Sequence, residues 1–114
     1  MAYKRFEVVK VPFPFTDRHA SKIRPALILS ELACFSAVIG HSVLAMITSA
    51  KHSAWPLDTP VSDLAAAGLP APSIVRMKLF TLDHRLIIAR LGKLAPTDRV
   101  AVDQVLKGLF GLNK

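Results

Sequence analysis

Residues 32–50 form a stretch of nineteen residues that contains no Asp, Glu, Lys or Arg. A helix of that length and polarity would nearly span a bilayer. Ser, Thr and His side chains are scattered along it, however, and Gly40-His41-Ser42 interrupts it centrally. A loop that divides two buried strands explains this pattern better than a membrane span. We therefore expect a β-rich fold that buries this stretch and does not insert into a membrane.

Other apolar runs of strand length lie between Pro, Gly and polar residues. Pro12 and Pro14 close the first run, because proline cannot donate to a central ladder, and Gly92 marks a possible bulge in the last. Periodicity alone leaves short buried helices open for the second and third runs. The predicted strands are residues 6–11, 26–30, 43–48, 73–80 and 86–94.

The clearest helix is predicted near the end of the chain. Thr97 is a plausible N-cap, and Asp98 suits the positive end of the helix dipole. Gly111 is a natural stop. A second, short helix is predicted at residues 63–67, within a long connection rich in Pro and Ala. The apolar stripe of the C-terminal helix, at helical spacing, consists of Val102, Val105, Leu106, Leu109 and Phe110.

The charge of the chain indicates a polyanionic partner. Fifteen Lys and Arg against eight Asp and Glu give a net charge of +7, and the pI is about 10.1. Clustered cations gain affinity by displacing counterions from phosphates, so nucleic acid is favoured over a membrane surface. The alternative is that these residues only keep an unusually apolar protein in solution.

Length and cysteine content set further bounds. With 114 residues, the chain is expected to form one domain, residues 1–114. A single cysteine, Cys34, excludes an internal disulfide and offers no metal cluster, which fits a reducing cytoplasm. No secretory signal is recognised in residues 1–15. The predicted location is therefore cytoplasmic.

Arg24 is the first candidate for phosphate chemistry, since it stands before the run at residues 26–30. Its guanidinium stays charged and can bind a phosphate with two hydrogen bonds, which would stabilise the phosphorane formed as RNA cleaves. Thr48 could add a hydroxyl. If the runs at 26–30 and 43–48 pair as antiparallel neighbours, Arg24 and Thr48 come together. Otherwise Arg24 is a solvated edge residue and Thr48 packs or caps.

Three further side chains are candidates. Arg76 and Lys78 fall on one face of a predicted strand, because side chains alternate there, and could contact nucleic acid or only aid solubility. His19, in a polar loop, is the candidate proton carrier. The four histidines lack metal-ligand spacing, so no metal or cofactor is expected.

Three segments resemble the MazF/PemK family of toxin endoribonucleases, and the resemblance extends over residues 6–112. By this resemblance, Arg24 matches the catalytic arginine and Thr48 the catalytic threonine or serine. Arg76 matches a substrate-contacting arginine of some members. The candidates for substrate binding are Thr16, Asp17, Ser49, Arg76 and Lys78. The segments are Val8-Val9-Lys10-Val11-Pro12-Phe13-Pro14-Phe15-Thr16-Asp17, Lys22-Ile23-Arg24-Pro25-Ala26-Leu27-Ile28-Leu29-Ser30 and Met46-Ile47-Thr48-Ser49-Ala50.

The resemblance implies an SH3-like β barrel with a C-terminal helix, a homodimer, metal-independent cleavage of single-stranded RNA, and inhibition by an antitoxin. Lys78 stands where some members place a carboxylate proposed to assist proton transfer, so the general base is not identified. One alternative is a catalytically silent module that binds nucleic acid or antitoxin. Another is a gyrase poison of the CcdB type, although Gly111-Leu112-Asn113-Lys114 lacks the C-terminal Trp-Gly-Ile of that toxin.

Overall fold

The computed structural model describes residues 3–13, 22–52 and 54–112. Its framework is one antiparallel sheet with the strand order β4-β5-β3-β2-β1-β6. The strands are β1 (Glu7–Phe13), β2 (Lys22–Ile28), β3 (His41–Ser49), β4 (Thr59–Pro60), β5 (Ser73–Asp83) and β6 (Ala89–Lys93). The helices are α1 (Ala37–Ile39), which follows a wide helical turn at Leu32–Ser36, α2 (Leu64–Ala67) and α3 (Pro96–Leu109). A short 3₁₀ turn, His84–Leu86, leads into β6.

All the predicted strands are present, but β2 begins earlier than expected. Arg24 and Pro25 lie inside this strand, so the prediction that they precede it is wrong. The first half of β2 pairs with β1, while pairing with β3 begins only at Ala26 and Met46. Pro25 therefore occupies a stretch with one neighbouring strand, where a missing N–H is tolerated. Pro12 likewise lies inside β1, beyond the last pair with β6.

Both faces of the sheet are buried, which explains why the strand sequences are continuously apolar. One face packs against α3 and α2 through Val8, Leu27, Ala45, Ile47, Val75, Met77 and Val102. The opposite face forms a second cluster of Val9, Val11, Ala26, Ile28, Leu44, Met46, Leu82 and Ile87, with Tyr3 beside it.

The uncharged stretch is only partly a strand. Its first half is the helical turn and α1, where Val38 is 78% exposed, so the expectation of two buried strands is wrong for this half. Gly40, with φ of +72°, ends α1, and β3 begins at His41. Among the described residues, no helix is long and apolar enough to cross a membrane.

The C-terminal helix begins two residues earlier than predicted, and Thr97 is not its N-cap. Ala95 takes that position and Pro96 follows it, because the fixed φ of proline suits the first helical turn. Val102 is buried as expected, whereas Phe110 at the far end of the stripe is 59% exposed. The predicted stop at Gly111, with φ of +69°, is confirmed.

Asp98 links α3 to the segment before α2. Its carboxylate accepts hydrogen bonds from the backbone N–H and hydroxyl of Ser62 and from the backbone N–H of Asp63. Burial raises the pKa of Asp98, but these hydrogen bonds outweigh burial and hold the pKa below its usual value. Asp63 in turn caps α2 by accepting from the Ala66 N–H at 3.0 Å, which confirms the predicted short helix. Asp98 thus stabilises the entry to α2.

A bulge in β6 lies where Gly92 predicted one. The pairing with β1 shifts between Val8, opposite Gly92, and Val9, opposite Arg90, so Leu91 is the extra residue. A Cβ at Gly92 would lie 2.4 Å from the Ala66 carbonyl oxygen. This close approach brings the end of α2 against β6.

Candidate active site

Arg24 and Thr48 lie together at the end of the sheet where β2 begins and β3 ends. Ala26 pairs with Met46, and continuing that antiparallel register by two residues sets Arg24 beside Thr48. Both residues line a pocket of about 210 Å³. The predicted proximity is confirmed, and their catalytic roles stay predictions.

A second pocket, of about 370 Å³, adjoins the first and is also lined by Arg24. The two share Arg24, Pro25, Leu69 and Pro70, so they form one depression, which we call the Arg24 groove. Lys10 lines its far end and adds a second positive charge, which sequence reasoning did not single out.

Gly68 positions the wall of the Arg24 groove formed by Leu69 and Pro70. Its φ is +71°, and a Cβ there would lie 2.1 Å from the carbonyl oxygen of Leu91. Only glycine fits this combination of a left-handed backbone and a close approach. The turn after α2 therefore directs the chain across the mouth of the groove.

The surroundings of the Arg24 guanidinium are concave and partly apolar. The residue is half-buried, and among the described residues its side chain has no hydrogen-bond or ion-pair partner. A guanidinium in a concave, partly apolar setting interacts more strongly with an anion than one in open solvent. The arrangement suits binding of a phosphate.

His52 contacts the candidate hydroxyl and was missed as a site residue. Its Nδ1 lies 2.5 Å from Oγ1 of Thr48, which is only 3% exposed. The His52 backbone N–H donates to the Ser49 carbonyl, so a turn directly after β3 brings the ring back to Thr48. The i,i+4 spacing at a strand end was the available signal, but spacing alone does not show that a turn follows Thr48.

The structure describes only some of the residues that were predicted to belong to the site. Thr16, Asp17 and His19 lie outside the described residues. Ser49 is exposed and lines the pocket with Arg24 and Thr48, and its hydroxyl accepts from the Lys51 N–H at 3.2 Å.

Arg76 is engaged by a carboxylate rather than free for a ligand. Its Nε donates to Asp58 Oδ1 at 3.1 Å and its Nη2 to Oδ2 at 3.0 Å. Both side chains are largely buried. Hydrogen bonding to Asp58 raises the pKa of Arg76 further above its usual value, against the effect of burial. The positive charge of Arg76 is therefore compensated within the fold.

Arg76 and Lys78 do share a face of β5, as the alternation predicted. The ring of Trp55 covers both of them, with its centroid 5.6 Å from Arg76 Cζ and 5.4 Å from Lys78 Nζ. In the register of β3 with β5, Arg76 lies opposite Met46 and Ile74 lies opposite Thr48. Arg76 is therefore two residues along β5 from the partner of Thr48.

The sequence model of the PemK-like, MazF-like toxin of type II toxin-antitoxin system matches residues 4–110. The chain belongs to this family. The resemblance seen in the sequence is thereby confirmed. No curated protein sequence matches the chain.

Solved structures of similar fold agree with this membership. A MazE-MazF structure from Deinococcus radiodurans (crystal form III) has a TM-score of 0.77 at 20% identity, covering 99% of this chain and 100% of that one. The Mycobacterium tuberculosis toxin MazF-mt6 gives 0.74 at 21% identity, with 95% and 99% covered. An endoribonuclease in complex with its cognate antitoxin from a mycobacterial species gives 0.75 at 18% identity, with 99% and 97% covered. The predicted mainly β fold, an SH3-like barrel of MazF type with a C-terminal helix, is confirmed.

Proposed function

We propose that this chain is an endoribonuclease toxin that cleaves single-stranded RNA without a metal. The observation that carries the proposal is the meeting of Arg24 and Thr48 in one groove of a chain that belongs to this toxin family. The 2′-hydroxyl of the target nucleotide would lose its proton and attack the adjacent phosphate. The 5′-oxygen would leave and take up a proton, giving a 2′,3′-cyclic phosphate and a free 5′-hydroxyl.

Arg24 would bind the phosphate and stabilise the extra negative charge of the phosphorane. Donors held in advance against developing charge are among the largest contributions to catalysis. Arg24 cannot be the base, because an arginine side chain does not lose its proton in proteins. Lys10, in the same groove, would hold the neighbouring backbone of the RNA.

Thr48 would orient the phosphate through its hydroxyl, and His52 would orient that hydroxyl. When His52 Nδ1 donates to Thr48 Oγ1, the Thr48 proton is free to point at a phosphate oxygen. Imidazole can both accept and donate a proton, so His52 joins His19 as a candidate proton carrier. Replacing His52 with Gln should slow the cleavage of RNA by the folded protein. An unchanged cleavage rate would remove His52 from the mechanism.

We further propose that the chain forms a homodimer in the cytoplasm and is inhibited by an antitoxin. Hydrophobic residues make up 52% of the sequence, and several large ones stay exposed in the single chain, among them Ile23, Val100, Phe110 and Leu112. A two-fold interface would cover part of this surface. Sedimentation at low micromolar concentration should give twice the 12.4 kDa chain mass.

Cleavage of a defined single-stranded RNA in the presence of EDTA tests the activity directly. We expect discrete products with a 2′,3′-cyclic phosphate on one fragment and a 5′-hydroxyl on the other. RNA that stays intact after prolonged incubation with folded protein would favour the alternative, a catalytically silent binding module. Products with a 5′-phosphate would exclude attack by the 2′-hydroxyl.

A further inference from the structure

The single tryptophan of the chain stands exposed beside the Arg24 groove. Trp55 is 41% exposed although two cations lie against its ring, Arg76 and Lys78. Both cations project from one face of β5, because Val75, Met77 and Leu79 pack into the core cluster on the opposite face. Part of the Trp55 side chain is therefore open to solvent while positive charge lies against its ring.

One carboxylate holds this ring in place. The Trp55 backbone N–H donates a hydrogen bond to Asp58 Oδ2 at 3.0 Å, and the Asp58 backbone N–H donates one to the Trp55 carbonyl oxygen at 3.2 Å. The turn between them passes through Leu57, whose φ of +66° is rare for a residue with a side chain. The same Asp58 binds Arg76, so the turn and the cation beneath the ring are fixed together. The platform is preorganised.

The platform is close to the candidate active site. Residues 49–52 bring His52 to Thr48, and the chain then continues to Trp55. Arg76 lies two residues along β5 from Ile74, the partner of Thr48 in the register. Two residues of a strand span roughly 7 Å. A nucleotide next to the one bound at Thr48 would therefore reach Trp55.

We propose that Trp55 is a stacking platform for an unpaired nucleobase adjacent to the scissile phosphate. This inference rests on the proposed function, because it takes single-stranded RNA as the ligand. Base stacking on exposed aromatic rings is the general means by which proteins hold single-stranded RNA. Arg76 is neutralised by Asp58, so Lys78 supplies the positive charge that attracts the neighbouring phosphate. An acidic protein segment would use Lys78 but would not need an exposed aromatic ring.

Because the chain contains one tryptophan, its fluorescence reports this site alone. The probe is a short unstructured RNA with 2′-O-methyl groups throughout, which cannot be cleaved by its own 2′-hydroxyl. We expect saturable quenching of the emission. An abasic residue is then placed at each position in turn, and at one position it should remove most of the quenching and weaken binding roughly tenfold or more, as expected for a lost stacked base.

Variants separate stacking from a structural role. Trp55→Leu should weaken binding of the intact RNA about tenfold, while Trp55→Phe keeps most of the affinity. Both should bind the abasic RNA as the natural chain does. Phe35→Leu is the matched control, since Phe35 is an exposed aromatic residue in the helical turn before α1, and it should change nothing. Equal weakening on intact and abasic RNA would overturn the proposal.

Other outcomes are equally decisive. Quenching by an acidic peptide but not by RNA would assign the ring to a protein partner and overturn the proposal. Cleavage of unmodified RNA combined with abasic-insensitive binding would reject the platform and leave the proposed function standing. Abasic-sensitive quenching in a protein that cleaves no RNA would support the platform and reject the endoribonuclease.

Discussion

Arg24 and Arg76 lie in the same sheet, and the family resemblance assigned both of them to the substrate, yet their surroundings differ. Arg24 lines a groove and has no hydrogen-bond or ion-pair partner among the described residues. Arg76 is bound by both oxygens of Asp58 and covered by Trp55. A charge already compensated by a carboxylate has little left for a phosphate. We therefore expect Arg24 to be the arginine that contacts the substrate, and Arg76 to organise the surface beside it.

The largest effect is expected at Arg24. Replacing it with Ala should lower the rate of RNA cleavage about a hundredfold or more, because transition-state charge loses its donor. Arg24→Lys should rescue little, since the planar fork is lost. Thermal denaturation should show that both variants stay folded. Normal cleavage by folded Arg24→Ala would end its assignment as a catalytic residue.

A stability measurement tests the opposite role for Arg76. Asp58→Ala should lower the free energy of unfolding by about 2 kcal/mol, because it leaves a largely buried guanidinium without its carboxylate. Urea denaturation measures this. Adding Arg76→Met to Asp58→Ala should recover part of the loss. If Asp58→Ala leaves stability unchanged, the ion pair is not an anchor and the contrast between the two arginines fails.

A smaller effect on catalysis is expected at Thr48. Thr48→Val removes the hydroxyl at nearly constant volume and should slow cleavage about tenfold, as expected for one hydrogen bond to a charged oxygen. Single-turnover kinetics would separate this from binding. Unchanged turnover would leave Arg24 as the acting residue of the pair and reduce Thr48 to a packing role.

Salt dependence distinguishes the two cations under Trp55. Lys78→Gln should lower the slope of log K against log salt by roughly 0.7, the value for one phosphate contact on a single strand. Arg76→Gln should leave the slope unchanged, because Asp58 already balances its charge. Equal loss of slope in both variants would show that Arg76 contacts phosphate after all.

The smallest expected effect is on stability in acid, when Asp98, which anchors the segment before α2, is replaced. Hydrogen bonds hold the pKa of Asp98 below its ordinary value. Its contribution to stability is therefore present above the unfolded-state pKa, about 3.9, and is lost as pH falls through the lower folded-state pKa. Asp98→Asn should be less stable at neutral pH and lose less stability below pH 4. Parallel acid denaturation curves would contradict this role.

The strands and the proximity of Arg24 to Thr48 could be predicted from the sequence, since apolar runs and antiparallel register depend on local pattern. The start of β2 could not, because Lys22 to Pro25 become strand only through pairing with β1. The two-residue strand β4 is too short to produce a periodic signal. The exposure of Phe110 at the end of the α3 stripe was also not predicted, because periodicity identifies an apolar face but not the residues that pack against it.

By itself, the sequence determined the family, the β-rich architecture and the likeness of one arginine and one threonine to catalytic residues. These follow from residue type and spacing along the chain. Only the tertiary structure brought His52 to Thr48 and set Trp55 over two cations. Trp55 is placed by a turn that Asp58 closes, and Asp58 also binds Arg76 on β5, a residue eighteen positions away in the sequence. His52 is only four residues from Thr48, but the contact depends on the backbone turn that follows β3. The periodicity of apolar residues along the chain predicts neither contact.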